Sequence, residues 1–252
     1  MIEVKNVSQT FQTARGPFQA LGGVSLSIPK GDFVAIIGRS GAGKSTFLRT
    51  LNGLLIPNRG QVVVGGTDIT KLPKRELQKY RRTVGFIFQQ FNLVTRLSVL
   101  DNVLHGRLGY LPTWRGLLGL YTERDYQIAR EQIARVDLSA KETARVDSLS
   151  GGQMQRVAIA RAMAQEPTLM LADEPAANLD PVLSEEVMRT LRRFNEADGV
   201  TVVINIHTLE LARQYARRIV AFRRGRLVFD GTPADLTDEL VDEIYERKEM
   251  LA

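Results

Sequence analysis

The hydrophobic pattern divides the chain into three stretches. Over residues 3–11 and 19–28 apolar and polar positions alternate with a period of two, as in strands buried on one face, and Arg15-Gly16-Pro17 between them supplies a turn. Phe33-Val34-Ala35-Ile36-Ile37 is a continuous apolar run, which a strand covered on both faces requires. A glycine-rich turn follows, then a helical stretch over about 44–52. Residues 60–69 read as two short strands around Gly65-Gly66, and 84–88 as another apolar run. Over 98–164 the spacing becomes helical, interrupted by Pro112 and by Gly116 and Gly119. Strand runs return at 168–172, 200–206 and 219–222 with helical segments between them, and a charged helix is expected over 238–249. Buried strands alternating with helices predict a parallel α/β core that carries an inserted helical block of about seventy residues.

Composition narrows the chemistry. The chain has 252 residues, 44% hydrophobic and 25% charged, which fits a globular protein with a substantial core. It has no cysteine, so disulfides, thiol nucleophiles and cysteine-built zinc sites are excluded, and His105 and His207 are its only histidines. A net charge of +6 favours anionic partners: nucleotide, nucleic acid or an acidic membrane face. There is no run of eighteen apolar residues; the greasiest stretch, 104–121, is broken by Arg107, Pro112, Arg115 and several glycines. Met1-Ile2-Glu3-Val4-Lys5 lacks the charged-then-apolar order of a signal peptide, so a soluble intracellular chain is expected.

Gly38-Arg39-Ser40-Gly41-Ala42-Gly43-Lys44-Ser45 matches G-x-x-x-x-G-K-[ST] and lies between a buried strand and a helix that continues through Thr46. Its glycines let successive backbone N–H groups turn inward on phosphate oxygens, and the helix aims its positive end at the same point. Lys44 is expected to reach the outer phosphates and the Ser45 hydroxyl to ligate Mg2+. Alone, the motif says nucleotide phosphate and does not separate kinases, GTPases and motor ATPases. The apolar run 169–172 ends in Asp173-Glu174, delivered to the sheet edge where ligands bind in open α/β folds. Asp173 suits Mg2+ and Glu174 the polarisation of an attacking water; an acidic turn after a core strand is the plainer reading. Leu149-Ser150-Gly151-Gly152-Gln153-Met154-Gln155-Arg156 opens a second helix with Ser150 as its N-cap and glycines that expose backbone donors.

The last segment resembles the signature of the ATP-binding-cassette (ABC) ATPases, and other family motifs fall in order around it. Phe11 matches the aromatic that stacks on adenine, more often a tyrosine in that family. Gln89 matches the glutamine that links γ-phosphate and Mg2+ to the membrane partner. Ala177-Asn178-Leu179-Asp180 resembles the loop that couples the two sites of a dimer, with Asp180 at its end, and His207 matches the γ-phosphate histidine. The resemblance spans essentially the whole chain. It implies a single P-loop NTPase domain with an N-terminal antiparallel β-subdomain, a nucleotide-binding core over 1–90 and 165–235, a helical subdomain over about 91–164 and a C-terminal helix over 236–252.

The same resemblance implies a homodimer in which ATP lies between the phosphate loop of one chain and Leu149 to Gln153 of the other. Glu174, His207 and Gln89 would be catalytic, with Ser45, Gln89 and Asp173 around Mg2+. Residues 90–97 would relay motion to integral permease subunits, placing the chain on the cytoplasmic face of the inner membrane, with a solute-binding protein as an indirect partner. The glycine–aromatic insert over 105–119 and the segment 222–231 are similar to the ATPase subunits of phosphonate importers. Importers of other solutes and export systems share the motifs, so the cargo stays open at this level. A nucleic-acid partner is not expected, because no second cassette and no long coiled coil separates Lys44 from Ser150. Basic runs at 74–82 and 213–226 read as solvated faces, with attraction to an anionic leaflet as an added possibility.

Overall fold

The computed structural model describes residues 1–14, 16–177 and 179–246; Arg15, Asn178 and the end of the expected C-terminal helix lie outside the described residues. Strands β1 (Ile2–Thr13) and β2 (Gly16–Ile28) form a long hairpin. Then come β3 (Phe33–Ile37), α1 (Lys44–Leu51), β4 (Arg59–Val64), β5 (Thr67–Asp68), α2 (Lys74–Arg82) and β6 (Val84–Ile87). The helical block holds α3 (Val99–Leu104), α4 (Thr113–Leu117), α5 (Glu123–Arg135) and α6 (Gly151–Met163), joined by short 3-10 turns. The chain returns to the core through β7 (Leu169–Asp173), α7 (Pro181–Asp198), β8 (Thr201–Asn205), α8 (Leu209–Tyr215), β9 (Arg218–Arg223), β10 (Arg226–Gly231) and α9 (Asp238–Tyr245).

Two sheets result. The first has the order β2-β1-β4-β5 and is antiparallel; the second has the order β10-β9-β3-β8-β7-β6 and is parallel apart from its β10 edge. The strand period of two explains why β3, β7, β8 and β9 are apolar almost throughout: each feeds two cores. Phe33, Ala35, Ile37, Met170, Val202, Ile204 and Ile219 face one, packed under α3, α5, α6, α7 and α8. Val34, Ile36, Leu171, Val203, Val220 and Phe222 face the other, with α1 and the antiparallel sheet. The stretch 74–82, anticipated as a solvated basic run, is the helix α2; only Leu77 of it is buried, and the basic residues mask the helical period. Among the described residues no helix is long and apolar enough to cross a membrane.

Register does the positioning. Asp173 pairs with Asn205, and Asn205 with Ile36, so the carboxyl ends of β7, β8 and β3 lie in one row. Ile87, at the end of β6, pairs with Ala172 in the same row's neighbour. The loops carrying Gly38, Gln89, Glu174 and His207 therefore all leave from one edge of the sheet.

In the helical block a buried ion cluster takes the place of an apolar contact. Arg107 and Asp125 have side chains only 6% exposed, and the Arg107 Nε donates to Asp125 Oδ1 at 3.0 Å. The same guanidinium donates to Ala164 O and Glu166 Oε2 and stacks 4.2 Å from the centre of the Tyr110 ring. Burial disfavours the Asp125 charge, but bonds from the Thr122 hydroxyl and amide and from Arg107 outweigh it and hold the carboxyl below its ordinary value of 3.8. Asp125→Ala strands the buried guanidinium and removes the return half of the α5 capping box, so it should cost about 3–5 kcal/mol, read as a lower urea midpoint. Because the folded pKa is depressed, this contribution should be present above the unfolded value and fade as pH falls through the lowered one.

Candidate active site

The phosphate loop is shaped by main chain packed on main chain. Gly38 has φ 138°, and a Cβ there would lie 2.2 Å from the Phe222 carbonyl oxygen; Gly43 has φ 105°, and a Cβ would lie 2.4 Å from the Ala20 oxygen. Neither position tolerates a side chain. The Gly225 N–H donates to Ala42 O and the Gly22 N–H to Gly225 O, so β2 and the β9–β10 turn clasp the loop from behind. Gly43 then serves as the left-handed N-cap of α1 without any capping side chain, and no acidic residue stands in the first turn. The first N–H groups of α1 are thus left for an anion.

Lys44 is buried and donates to Gly38 O at 2.7 Å and Arg39 O at 3.1 Å. Burial pulls its pKa below the ordinary lysine value, opposed by the nearby charges of Glu174 and Asp173. Ser45 Oγ donates to Asp173 Oδ1 at 2.8 Å, and Asn205 Nδ2 donates to the same oxygen at 2.7 Å. Thr46 is half-buried behind them, Ala42 is buried, and Arg39, Ser40 and Gly41 are exposed. Arg39 forms an ion pair with Glu246 at the end of α9.

Glu174 follows β7 with φ 52°, a left-handed conformation unusual for a glutamate, held by its N–H donating to Asn205 O at 3.1 Å. Its Oε1 lies 2.5 Å from Nε2 of His207, whose side chain is half exposed. Gln89 is exposed beyond β6. The loop after it is pinned from both sides: Arg161 of α6 donates to the carbonyls of Phe91 and Asn92, and Asn102 of α3 brackets Val94 with two bonds.

Serine 150 caps α6 in a reciprocal box with Gln153, the Gln153 N–H donating to Ser150 Oγ and the Ser150 N–H to Gln153 Oε1. Leu149 is buried just before it. Gly151 and Gly152 pack on Leu179 and Leu183, where a Cβ on Gly152 would come within 2.8 Å of Leu183 Cδ2. Asp180 caps α7 by accepting from the Leu183 N–H, with Pro181 at the first helical position. The structure therefore brings Lys44, Ser45, Asp173, Glu174 and His207 into one cluster and Leu149 to Gln153 with Asp180 into another. No hydrogen bond or ion pair joins Leu149 to Gln153 to the phosphate loop among the described residues. Phe11 lies on the antiparallel sheet, partly exposed and directly across the ladder from Phe18.

Three residues that touch or neighbour the expected site residues are invisible at the level of motifs. Asn205 anchors both Asp173 and the Glu174 backbone, yet in sequence it is only the polar end of an apolar strand. Phe18 is signalled only by the register of the hairpin. Glu246 reaches Arg39 from 207 residues away.

Residues 21–177 match the family described as ABC transporter. The chain belongs to this family. It is an ATP-hydrolysing cassette, and its architecture is that of a P-loop NTPase. It is 47% identical, over 98% of its length and 92% of the relative's, to the phosphonates import ATP-binding protein PhnC of Shouchella clausii. To the protein of the same description in Rhodopseudomonas palustris strain BisB5 it is 50% identical, over 92% of this chain and 86% of the relative. Among solved structures it resembles the dimeric post-hydrolysis state of the cassette MJ0796 bound to ADP and Pi, with TM-score 0.80, 37% identity and coverage of 92% and 99% of the two chains.

Asn205 holds the carboxylate of Asp173 and the backbone of Glu174. Asn205→Ala should lower the maximal ATPase rate about tenfold to a hundredfold while changing the nucleotide dissociation constant much less. Parallel measurements of steady-state hydrolysis and nucleotide binding separate the two effects.

Proposed function

We propose that the chain is the ATPase subunit of an importer that takes phosphonates into the cell. The observation that carries the cargo is the near full-length similarity to phosphonates import ATP-binding proteins, 46–50% identical in species as distant as Staphylococcus haemolyticus and Rhodopseudomonas palustris. In this reading two copies of the chain form a dimer at the cytoplasmic face of the inner membrane. They act on integral permease subunits that receive the solute from a binding protein.

Each residue of the cluster then has a task. N–H groups of residues 38–43 and of the first turn of α1 cradle the phosphates, and Lys44 exchanges the Gly38 and Arg39 carbonyls for β- and γ-phosphate oxygens. Phe11 stacks on adenine through its π-face. Ser45 and Asp173, a hydroxyl and a carboxylate touching at 2.8 Å, are the hard-oxygen pair that suits Mg2+, with Gln89 beside the γ-phosphate. Bound there, Mg2+ would offset negative charge on the β- and γ-phosphates. Glu174 orients and polarises the water that attacks the γ-phosphorus as the bond to the ADP oxygen breaks. His207, in contact with Glu174, steadies the γ-phosphate. Ser150 to Gln153 of the partner chain close the site, and Asp180 couples the two sites.

Glu174→Gln keeps the shape of the site and removes the group that polarises water. With Mg·ATP the variant should remain an ATP-bound dimer by light scattering, at less than about a hundredth of the wild-type turnover. A strain carrying it in place of the native chain should fail to grow on a phosphonate as sole phosphorus source and grow normally on inorganic phosphate. Growth on both would remove phosphonate as the cargo.

A further inference from the structure

The helical block carries a surface that the ATPase chemistry does not use. Residues 102–122 contain no Asp or Glu. Within them Trp114 is 60% exposed, Leu117 83% and Leu118 68%, with Leu120, Tyr110 and Leu108 exposed beside them. Single exposed leucines are ordinary, but an adjacent group of large apolar side chains on one short turn is not. Nor is the turn loosely held. Pro112 leads into α4, Gly119 closes it in the left-handed conformation, and the Leu120 N–H returns to Arg115 O at 2.9 Å. The backbone therefore fixes these side chains outward.

What adjoins the turn is basic. The Tyr110 hydroxyl donates to Gln165 O, and its ring lies beside the guanidinium of Arg82, the last residue of α2. Helix α2 carries Lys74, Arg75, Lys79, Arg81 and Arg82 against the single acid Glu76. Tyr110 thus lies between the apolar turn and the Arg82 end of a basic helix. That is the order of depth at a lipid surface, where apolar groups enter the acyl boundary, Trp and Tyr sit at headgroup level and cations meet anionic headgroups. An anionic bilayer meets the leucines and the charge of α2 at once.

We propose that the 108–120 turn and α2 together form a docking face for an anionic bilayer, so that the subunit touches lipid directly. The inference rests on the proposed membrane location for its setting, and its test contains no permease and no phosphonate, so the two can fail separately. Trp114 is the only tryptophan in the chain, and its emission reports on the turn itself. The full-length protein is titrated with vesicles of phosphatidylcholine containing phosphatidylglycerol, and with phosphatidylcholine alone. The expected result is a shift of emission to shorter wavelength with the anionic vesicles, weakened by added salt and much smaller with the neutral ones. Leu117→Ser with Leu118→Ser, and separately Lys74→Glu with Arg75→Glu, should each weaken co-sedimentation about tenfold or more and leave ATP hydrolysis in solution unchanged. Emission that stays unchanged with both vesicle types overturns the proposal. So does undiminished binding by the variants.

Discussion

Main-chain oxygens of two separate strands press on the phosphate loop, and the rest of the site depends on that contact. With the Phe222 oxygen behind Gly38 and the Ala20 oxygen behind Gly43, the loop can follow only one path. That path sets the first turn of α1 where the Ser45 hydroxyl meets Asp173 and the Lys44 charge lies near Glu174 and Asp173. The glycines at 38 and 43 therefore serve two ends: they permit positive φ and they admit neighbouring backbone. Any side chain would push the loop off β2 and the β9–β10 turn and move Ser45 with it. The antiparallel sheet, which carries Phe11, is in this sense a mould for the loop.

The second constraint is register. Because Asp173 and Asn205 are ladder partners, the amide of one can reach the carboxylate of the other without any loop intervening. The carbonyl of the same asparagine holds Glu174 in its left-handed turn, which aims the carboxylate at His207. Three groups with different proposed tasks thus share a single rigid origin. Groups built on strand ends keep their spacing better than groups on free loops, as catalysis through orientation requires.

Much of this was legible in the sequence for one reason: the fold repeats two simple signals. Continuous apolar runs mark β3, β7, β8 and β9 because each is covered on both faces, and glycine-rich turns ending in Lys44 and in Gly152 mark the starts of α1 and α6. Helix α2 was not legible, since five basic residues in nine positions hide a helical period that only Leu77 and the partly buried Tyr80 express. Nor were Asn205, Phe18 and Glu246, whose parts are set by pairing across the fold. The ladder partner of Asp173 and the acid that meets Arg39 are facts of register and docking, and local pattern carries no record of either. The left-handed Glu174 was equally hidden, because its conformation is imposed by a bond to a strand that comes thirty residues later in the chain.

Helix α6 ties the two proposed faces of the molecule together. Its first residues follow the Ser150 cap and pack on Leu179 and Leu183; Arg161 in its last turn holds the carbonyls of Phe91 and Asn92; and the Ala164 carbonyl just past its end accepts from buried Arg107. Thirteen helical residues span about 20 Å, and a helix buried along most of its length moves as a unit. A displacement imposed at Ser150 by a bound nucleotide would therefore arrive together at the loop after Gln89 and at the Arg107 cluster that supports Tyr110 and the 108–120 turn. The buried charges of Arg107 and Asp125 make sense in that position. A purely apolar contact there could slide, whereas a guanidinium holding a carboxylate, a backbone carbonyl and an aromatic face has one geometry, and the exposed turn above it inherits that fixity.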